Sequence, residues 1–208
     1  MLSKYPITYA QFQAFIDAKD GFTDERWWQD LFMKNQAMFP QRYKYGNHPR
    51  DNVSWYQAVA FCRWLTFSYH KADLLLRNYE IRLPSEQQWE IAARMPDNRV
   101  YPWGMNYSTN AANLGQIGMT STVGIYPQGQ NNDGIEDMAG NVWEWCINDY
   151  YDASSTSTSS DRRKALRGGA WVNSTEKYLR STSRNHCVPY ATTDYIGFRV
   201  CAVKHYAS

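Results

Sequence analysis

Charge of either sign is nearly absent as a net quantity: 22 Lys and Arg stand against 20 Asp and Glu, a formal +2 at pH 7. With no basic stripe in the sequence, nothing favours phosphate contact, and nucleic acid is excluded as the expected partner. Long apolar runs are missing too. None approaches the roughly 20 residues of a membrane span, and Met1-Leu-Ser-Lys4 lacks the apolar stretch of a signal region. The chain therefore reads as soluble with no membrane span, the cytoplasm favoured as its compartment, or as a domain cut from a longer protein. Cysteine is sparse. Cys62, Cys146, Cys187 and Cys201 show no CxxC or Cys/His ligand spacing, so free buried thiols are expected in place of disulfides or zinc.

What is present is aromatic. Nine Trp and sixteen Tyr within a 43% hydrophobic composition argue for one large domain over residues 1–208, built of loops pinned by half-polar rings. Three helix starts carry a hydroxyl followed three positions later by Gln, the pattern of a capping box. They are Thr8 with Gln11, Ser54 with Gln57, and Ser85 with Gln88. The first helix puts Phe12, Phe15 and Ile16 on one face and stops near Gly21. The second presents Val59, Phe61 or Cys62, and Leu65, and the third carries Trp89, Ala92 and Ala93 and ends before Pro96. Trp27 and Trp28 open an aromatic insertion and read as the glue that holds it down. His48 reads as a loop hydrogen-bonding residue, because no second His or Cys is placed to share a metal. One short strand is expected at Thr122–Tyr126, a terminal one at Val200–Val203, and a mobile loop at 152–163, which contains the run Ser154-Ser-Thr-Ser-Thr-Ser-Ser160.

The C-terminal stretch has rigid ends and an unconstrained middle. Gly168 and Gly169 permit positive φ or close backbone approach, and Trp171 and Phe198 read as core anchors. Between them lie small, polar and aromatic residues with neither helical nor strand period. A scaffold that fixes both ends of such a segment suits a display surface. The expectation is a binding module and not an enzyme.

Seven phrases in order, Tyr5–Phe12, Val53–Ala58, Ile81–Glu90, Tyr101-Pro-Trp-Gly104, Asp137-Met-Ala-Gly-Asn-Val-Trp-Glu-Trp145, Arg167-Gly-Gly-Ala-Trp171 and Gly197-Phe-Arg199, resemble the formylglycine-generating enzyme, or sulfatase-modifying factor, family. The resemblance implies an α+β, C-type-lectin-like fold: small twisted antiparallel sheets with flanking helices and extensive irregular loops. The family's usual opening phrase is missing, which implies a truncated N-terminus or a first strand supplied differently. Family enzymes oxidise a substrate cysteine with copper held by two cysteines. The corresponding positions here are read as Asn173 and Tyr178, and neither side chain replaces a thiolate, the soft ligand Cu(I) selects. The iron-dependent branch of the family takes histidine ligands from an additional helical domain.

What remains resembles the variable proteins of diversity-generating retroelements, whose adenine-directed mutagenesis rewrites a segment framed by Arg-Gly-Gly and Gly-Phe-Arg. In that reading 167–200 is the variable region. Its ligand-binding positions are Val172, Asn173, Ser174, Ser183, Asn185, His186, Cys187, Val188, Tyr190, Ala191, Thr192, Thr193, Asp194 and Tyr195, while Glu176, Lys177 and Leu179 are fixed. Tyr supplies contact area and Ser, Thr and Asn adaptable hydrogen bonds, as in antibody loops. Arg180 and Arg184 read as scaffold, with ligand contact as the alternative. The expected partner is a protein or cell-surface ligand, and no cofactor is required. The resemblance also implies a structural calcium near Asn141 and Glu144, whose hard oxygens suit that ion; the alternative is that Asn141 makes a turn and Glu144 accepts loop hydrogen bonds. Asn113 matches a second calcium phrase without its acidic partner. Two other functions stay open: a catalytic family member using His186, Cys187 and Asp194, and a calcium-dependent glycan-binding lectin, weakened by the lack of a Glu-Pro-Asn type phrase.

Overall fold

The computed structural model describes residues 1–34, 37–173 and 175–204. Among the described residues three α-helices, α1 (Tyr9–Asp17), α2 (Trp55–Lys71) and α3 (Glu86–Arg94), occupy the N-terminal half, and of six strands only β1 (Tyr79–Arg82) lies among them, while β2 (Trp143–Asp149), β3 (Lys164–Arg167), β4 (Arg184–Cys187), β5 (Ile196–Gly197) and β6 (Cys201–Lys204) follow. All three expected capping boxes form, with both reciprocal bonds made in each. The terminal strand lies one residue later than the sequence suggested.

A four-stranded sheet runs β4-β3-β2-β5, and β1 pairs with β6 in a second, two-stranded sheet. β2 is antiparallel to β3 and parallel to β5. Every residue of β2 is buried, as a central strand covered on both faces must be. The N-terminal residues run beside the last strand, with Ser3 N–H donating to Val200 O at 2.8 Å and Ile7 N–H to Phe198 O at 2.8 Å. This agrees with the α+β, lectin-like expectation.

Indole N–H groups stitch the core. Trp55 Nε1 donates to Cys146 O at 2.8 Å and Trp145 Nε1 to Val53 O at 3.0 Å, so the start of α2 and strand β2 hold one another. Trp27 and Trp28 are buried and donate to Asp20 O and Phe22 O, which is the glue role. His48 Nδ1 meets Thr120 Oγ1 at 3.1 Å, a loop contact.

Three expectations need correction, and the Ser/Thr run shows contacts that spacing does not reveal. Thr122–Tyr126 is not a strand: Gly124 takes φ +75° and donates its N–H to the Asp137 carboxylate at 2.7 Å, which turns the chain. Trp171 is half-buried and is not a core anchor; the buried members of its phrase are Arg167, Gly168, Gly169 and Ala170. Arg184–Cys187 does have strand structure, because β3 offers it a complete antiparallel register from Arg167↔Arg184 to Lys164↔Cys187. The Ser/Thr run is tied to the body: Tyr56 Oη donates to Ser160 O and Lys164 Nζ to Ser157 O, each at 2.8 Å, and Phe32 N–H to Thr158 O at 3.0 Å.

Two buried ion pairs tie β2 to its surroundings. Glu144 accepts Arg199 Nε at 2.7 Å, Arg199 Nη2 at 2.8 Å and Trp89 Nε1 at 2.6 Å. Lys164 Nζ donates to Asp149 at 2.6 Å and stands 4.2 Å from the Trp55 ring centroid. Removing one partner of such a pair strands a buried charge, at a cost of about 3–5 kcal/mol. Arg199→Leu is therefore expected to lower unfolding free energy by about 3–5 kcal/mol in a urea titration; a loss below about 1 kcal/mol would mean the pair is not the anchor described.

Candidate functional site

The C-terminal segment is clamped at both ends. Gly168 and Gly169 take φ +97° and +77°, and a Cβ on Gly169 would stand 2.8 Å from Tyr178 O. Arg167 reaches α3: its guanidinium hydrogen-bonds Glu90 and stands 3.7 Å from Glu86. At the other end Ile196, Phe198 and Arg199 are buried. Between the clamps Val172 and Tyr190 are exposed, and Asn173, Ser183, Asn185, His186, Cys187, Val188, Ala191, Thr192, Thr193, Asp194 and Tyr195 are half-buried. Ser174 lies outside the described residues.

These residues do not form one patch. In β4 alternate side chains face opposite sides. Arg184 and His186 both contact Tyr150, the guanidinium 4.6 Å from its centroid and the imidazole ring 4.5 Å. Arg184 also makes a two-pronged bond to Glu86 at 2.6 and 2.7 Å, so it is scaffold. Cys187 turns the other way and packs against the main core, as does Tyr195. Asn185 Oδ1 accepts the His186 N–H at 2.8 Å.

His186, Val188 and Tyr190 come together beside the 149–163 loop. Val188 and Tyr190 line a groove of about 550 Å³ whose other walls are Asp149, Tyr151, Asp152, Asp161, Arg162 and Arg163. The His186 ring lies 5.8 Å from Tyr151, and its Nδ1 is 3.3 Å from Arg163 Nη1. Tyr151 is 79% exposed. The loop's contribution escaped the sequence reading, although a Tyr150-Tyr151 doublet ahead of a Ser/Thr run was the available signal.

A second group gathers around Trp171, whose Nε1 donates to Asp194 O at 3.1 Å. Asn173 Oδ1 accepts the Ala170 N–H at 3.0 Å, a turn contact. Thr193 O accepts the Asn52 N–H at 2.9 Å, next to buried Asp51. Ser183 N–H donates to Arg180 O at 2.8 Å, and Arg180 Nη2 meets Glu176 at 3.2 Å. Burial pushes the Asp51 carboxyl up to about 7; Arg50 opposes the rise and Asp194 adds to it.

His186, Cys187 and Asp194 do not converge. His186 faces the tyrosines, Cys187 the core, and Asp194 joins the Trp171 group. Burial raises the Cys187 thiol, the wrong direction for a nucleophile. The four cysteines are free and sit in α2, β2, β4 and β6. Tyr178 rests edge-on against Trp143, with ring centroids 6.1 Å apart.

Calcium does not fit Asn141 and Glu144 as they stand. Both Glu144 oxygens are taken by Arg199, with Trp89 added, in a fully buried setting. A cation there would meet a guanidinium already in place. Asn141 Oδ1 accepts the Ser121 N–H at 2.9 Å, and Nδ2 donates to Ser121 O and Asp137. Asn113 is likewise engaged, donating to Met119 O and accepting from Gly115 N–H. Among the described residues no group of three His, Cys, Asp or Glu is placed to hold a metal, and no helix is long and apolar enough to cross a membrane.

A family model described as "Sulfatase-modifying factor enzyme 1-like domain" matches residues 1–204. The chain is 32% identical to the mouse (Mus musculus) protein named "Inactive C-alpha-formylglycine-generating enzyme 2", over 85% of this chain and 57% of that one. It is 28% identical to "Hercynine oxygenase" of Mycobacterium tuberculosis, over 96% of this chain and 51% of that one. The chain thus spans about half the length of the curated relatives it matches. Relatives carry both an inactive and an enzymatic name. Among solved structures, "Treponema denticola variable protein 1" shares the fold with TM-score 0.71 and 22% identity, covering 98% of this chain and 84% of that one.

The Asp51 carboxyl gives a pH test. Its folded pKa lies above the ordinary carboxylate value near 3.9, so the folded state holds more protons than the unfolded one across roughly pH 4–7. The Asp51 contribution to stability is therefore present at low pH and lost as pH rises through about 7. Thermal melts should show Asp51→Asn gaining on the wild type from pH 5 to pH 8, with equal shifts at both pH values contradicting the assignment.

Proposed function

This chain belongs to the family of sulfatase-modifying factor enzyme 1-like domains, and on that premise we propose that it is a non-catalytic ligand-binding module. It presents the variable segment 167–200 to a macromolecular surface, a protein or cell-surface ligand. The observation that carries this reading is the contrast within one segment: buried clamps at Arg167–Ala170 and Ile196–Arg199, and half-buried or exposed side chains at the described variable positions between them, with Leu179, Ser181 and Pro189 as the buried exceptions in that stretch. Such positions change at small cost, since surface substitutions away from special contacts usually stay within about 0.5 kcal/mol.

The same contrast supports diversification by a retroelement. A mutagenic process that rewrites codons blindly needs positions whose side chains carry no part of the core. Val172, His186, Val188, Tyr190, Ala191 and Thr192 meet that need best. Asn173, Cys187 and Tyr195 meet it least, because their side chains cap a turn or touch the core. The non-catalytic half rests on the lack of convergence among His186, Cys187 and Asp194, and on the resemblance, which reads Asn173 and Tyr178 at the positions where copper-binding members carry thiolates.

The DNA around the gene tests the reading. A near-copy of codons 167–200, differing at adenines and lying beside a reverse transcriptase gene, is the expected finding. Mismatches should concentrate at the surface positions and spare Arg167, Gly168, Gly169 and Arg199. No repeat, or mismatches spread evenly over clamps and surface, would overturn it.

A further inference from the structure

We propose that the ligand is gripped by a composite groove, one wall variable and the other invariant, and that its occupant is an extended polypeptide segment of a partner protein. The inference rests on reading the C-terminal segment as ligand-binding. It adds a fixed half that lies outside that segment.

The groove has about 550 Å³ of space, within the range of sites that enclose a ligand. Val188 and Tyr190 form the wall that comes from the C-terminal segment. Tyr151, Asp152, Asp161, Arg162 and Arg163 form the opposite wall and precede Arg167, so rewriting of 167–200 leaves them unchanged. That wall is anchored from beneath. Asp149 is held by Lys164 at 2.6 Å and by Ser155 Oγ at 2.7 Å, Ser157 O accepts from Lys164, and Ser160 O accepts from Tyr56. Tyr150 packs on the core cluster that contains Trp89 and Cys146 and lies under the Arg184 guanidinium. The adjoining Tyr151 ring, 79% exposed, lines the groove and meets the Tyr150 ring edge-on with centroids 5.0 Å apart. A large ring held ready in this way loses little freedom on binding.

The lining chemistry favours polypeptide over carbohydrate. Tyr and Arg are the residue types enriched at protein interfaces and among their energetic hot spots. Both signs of charge face the same cavity. Hydrogen bonds from the Ser154 side chain and backbone hold the Asp152 carboxyl below its usual range, so it stays ionised. Arg162 is largely exposed and stands 4.0 Å from Asp149, and Arg163 meets the His186 ring at 3.3 Å. A polypeptide places acidic, basic and aromatic side chains a few ångströms apart along one strand. A neutral sugar has no charge to answer either arginine or aspartate.

The arrangement solves a problem that any diversified binder faces. If every contact varied, each new sequence would start with no affinity. An unchanging aromatic and charged wall gives all variants a common weak grip, and the variable wall then selects the partner.

The test pans a phage-displayed random dodecapeptide library on the full chain and measures selected peptides on three variants. Tyr151→Ala and Tyr190→Ala should each weaken binding by about tenfold or more, while Ile91→Ser, on the exposed side of α3, leaves it unchanged. Circular dichroism melts check that all three fold. Peptides that bind Tyr151→Ala as well as wild type would overturn the composite groove. Selection of no peptide, or binding to oligosaccharides on a glycan array with dependence on Tyr151, would overturn the polypeptide occupant. The genomic repeat is a separate observation: its absence would sink diversification and leave the groove standing, whereas failure here would leave diversification untouched.

Discussion

One buried carboxylate, Glu144, organises the molecule. It is the second residue of β2, with no exposed surface, and it is tolerable there only because Arg199 and Trp89 donate three hydrogen bonds to it. Arg199 spends its remaining donors on Glu136 O, Ser3 O and Lys4 O. A single guanidinium thereby joins the N-terminal residues, the loop before β2, β2 itself and the C-terminal phrase. Taking that pair out of water costs several kcal/mol for each ion, repaid only by good geometry and full satisfaction of donors and acceptors. The structure supplies both. A second set of charges, Arg167 and Arg184 on Glu86 and Glu90, repeats the device at the base of the C-terminal segment.

This constraint explains why the surface segment can be irregular. Its ends are fixed by charge pairs and by glycines that L side chains could not replace without strain, and its middle is tied down through buried Leu179 and Ser181 and through backbone bonds, which leaves most of its other side chains free of that task. The groove residues add nothing to the Glu144 network. Under the proposed function, stability and recognition would be carried by different side chains, and that separation would permit one to change without the other.

Local signals were legible in the sequence and long-range ones were not. The three capping boxes concern residues three apart, so spacing alone revealed them. Gly168 and Gly169 were legible because positive φ is a property of one residue. The phrases around Trp89, Glu144 and Arg199 were recognisable as phrases, yet their meeting point could not be read from spacing, because 55 residues separate each from the next. The same blindness produced the errors at Trp171 and at Arg184–Cys187, and it hid the contacts of the Ser/Thr run and of Glu144. Trp171 reads as core by composition, but its neighbours leave it half-exposed. Arg184–Cys187 has no strand period of its own, and it becomes β4 because β3 offers a register. The Ser/Thr run has little side chain to bury, but its carbonyls find Tyr56 and Lys164. Glu144 and Asn141 suggest calcium by donor type until their oxygens are seen to be occupied.

The division between frame and surface can be measured in one experiment. Two libraries are displayed and sorted for protease resistance: one fully randomises His186, Val188 and Tyr190, and the other randomises Trp89, Glu144 and Arg199. Most members of the first should resist protease as the wild type does, and almost none of the second should. Comparable loss of resistance in both libraries would contradict the account.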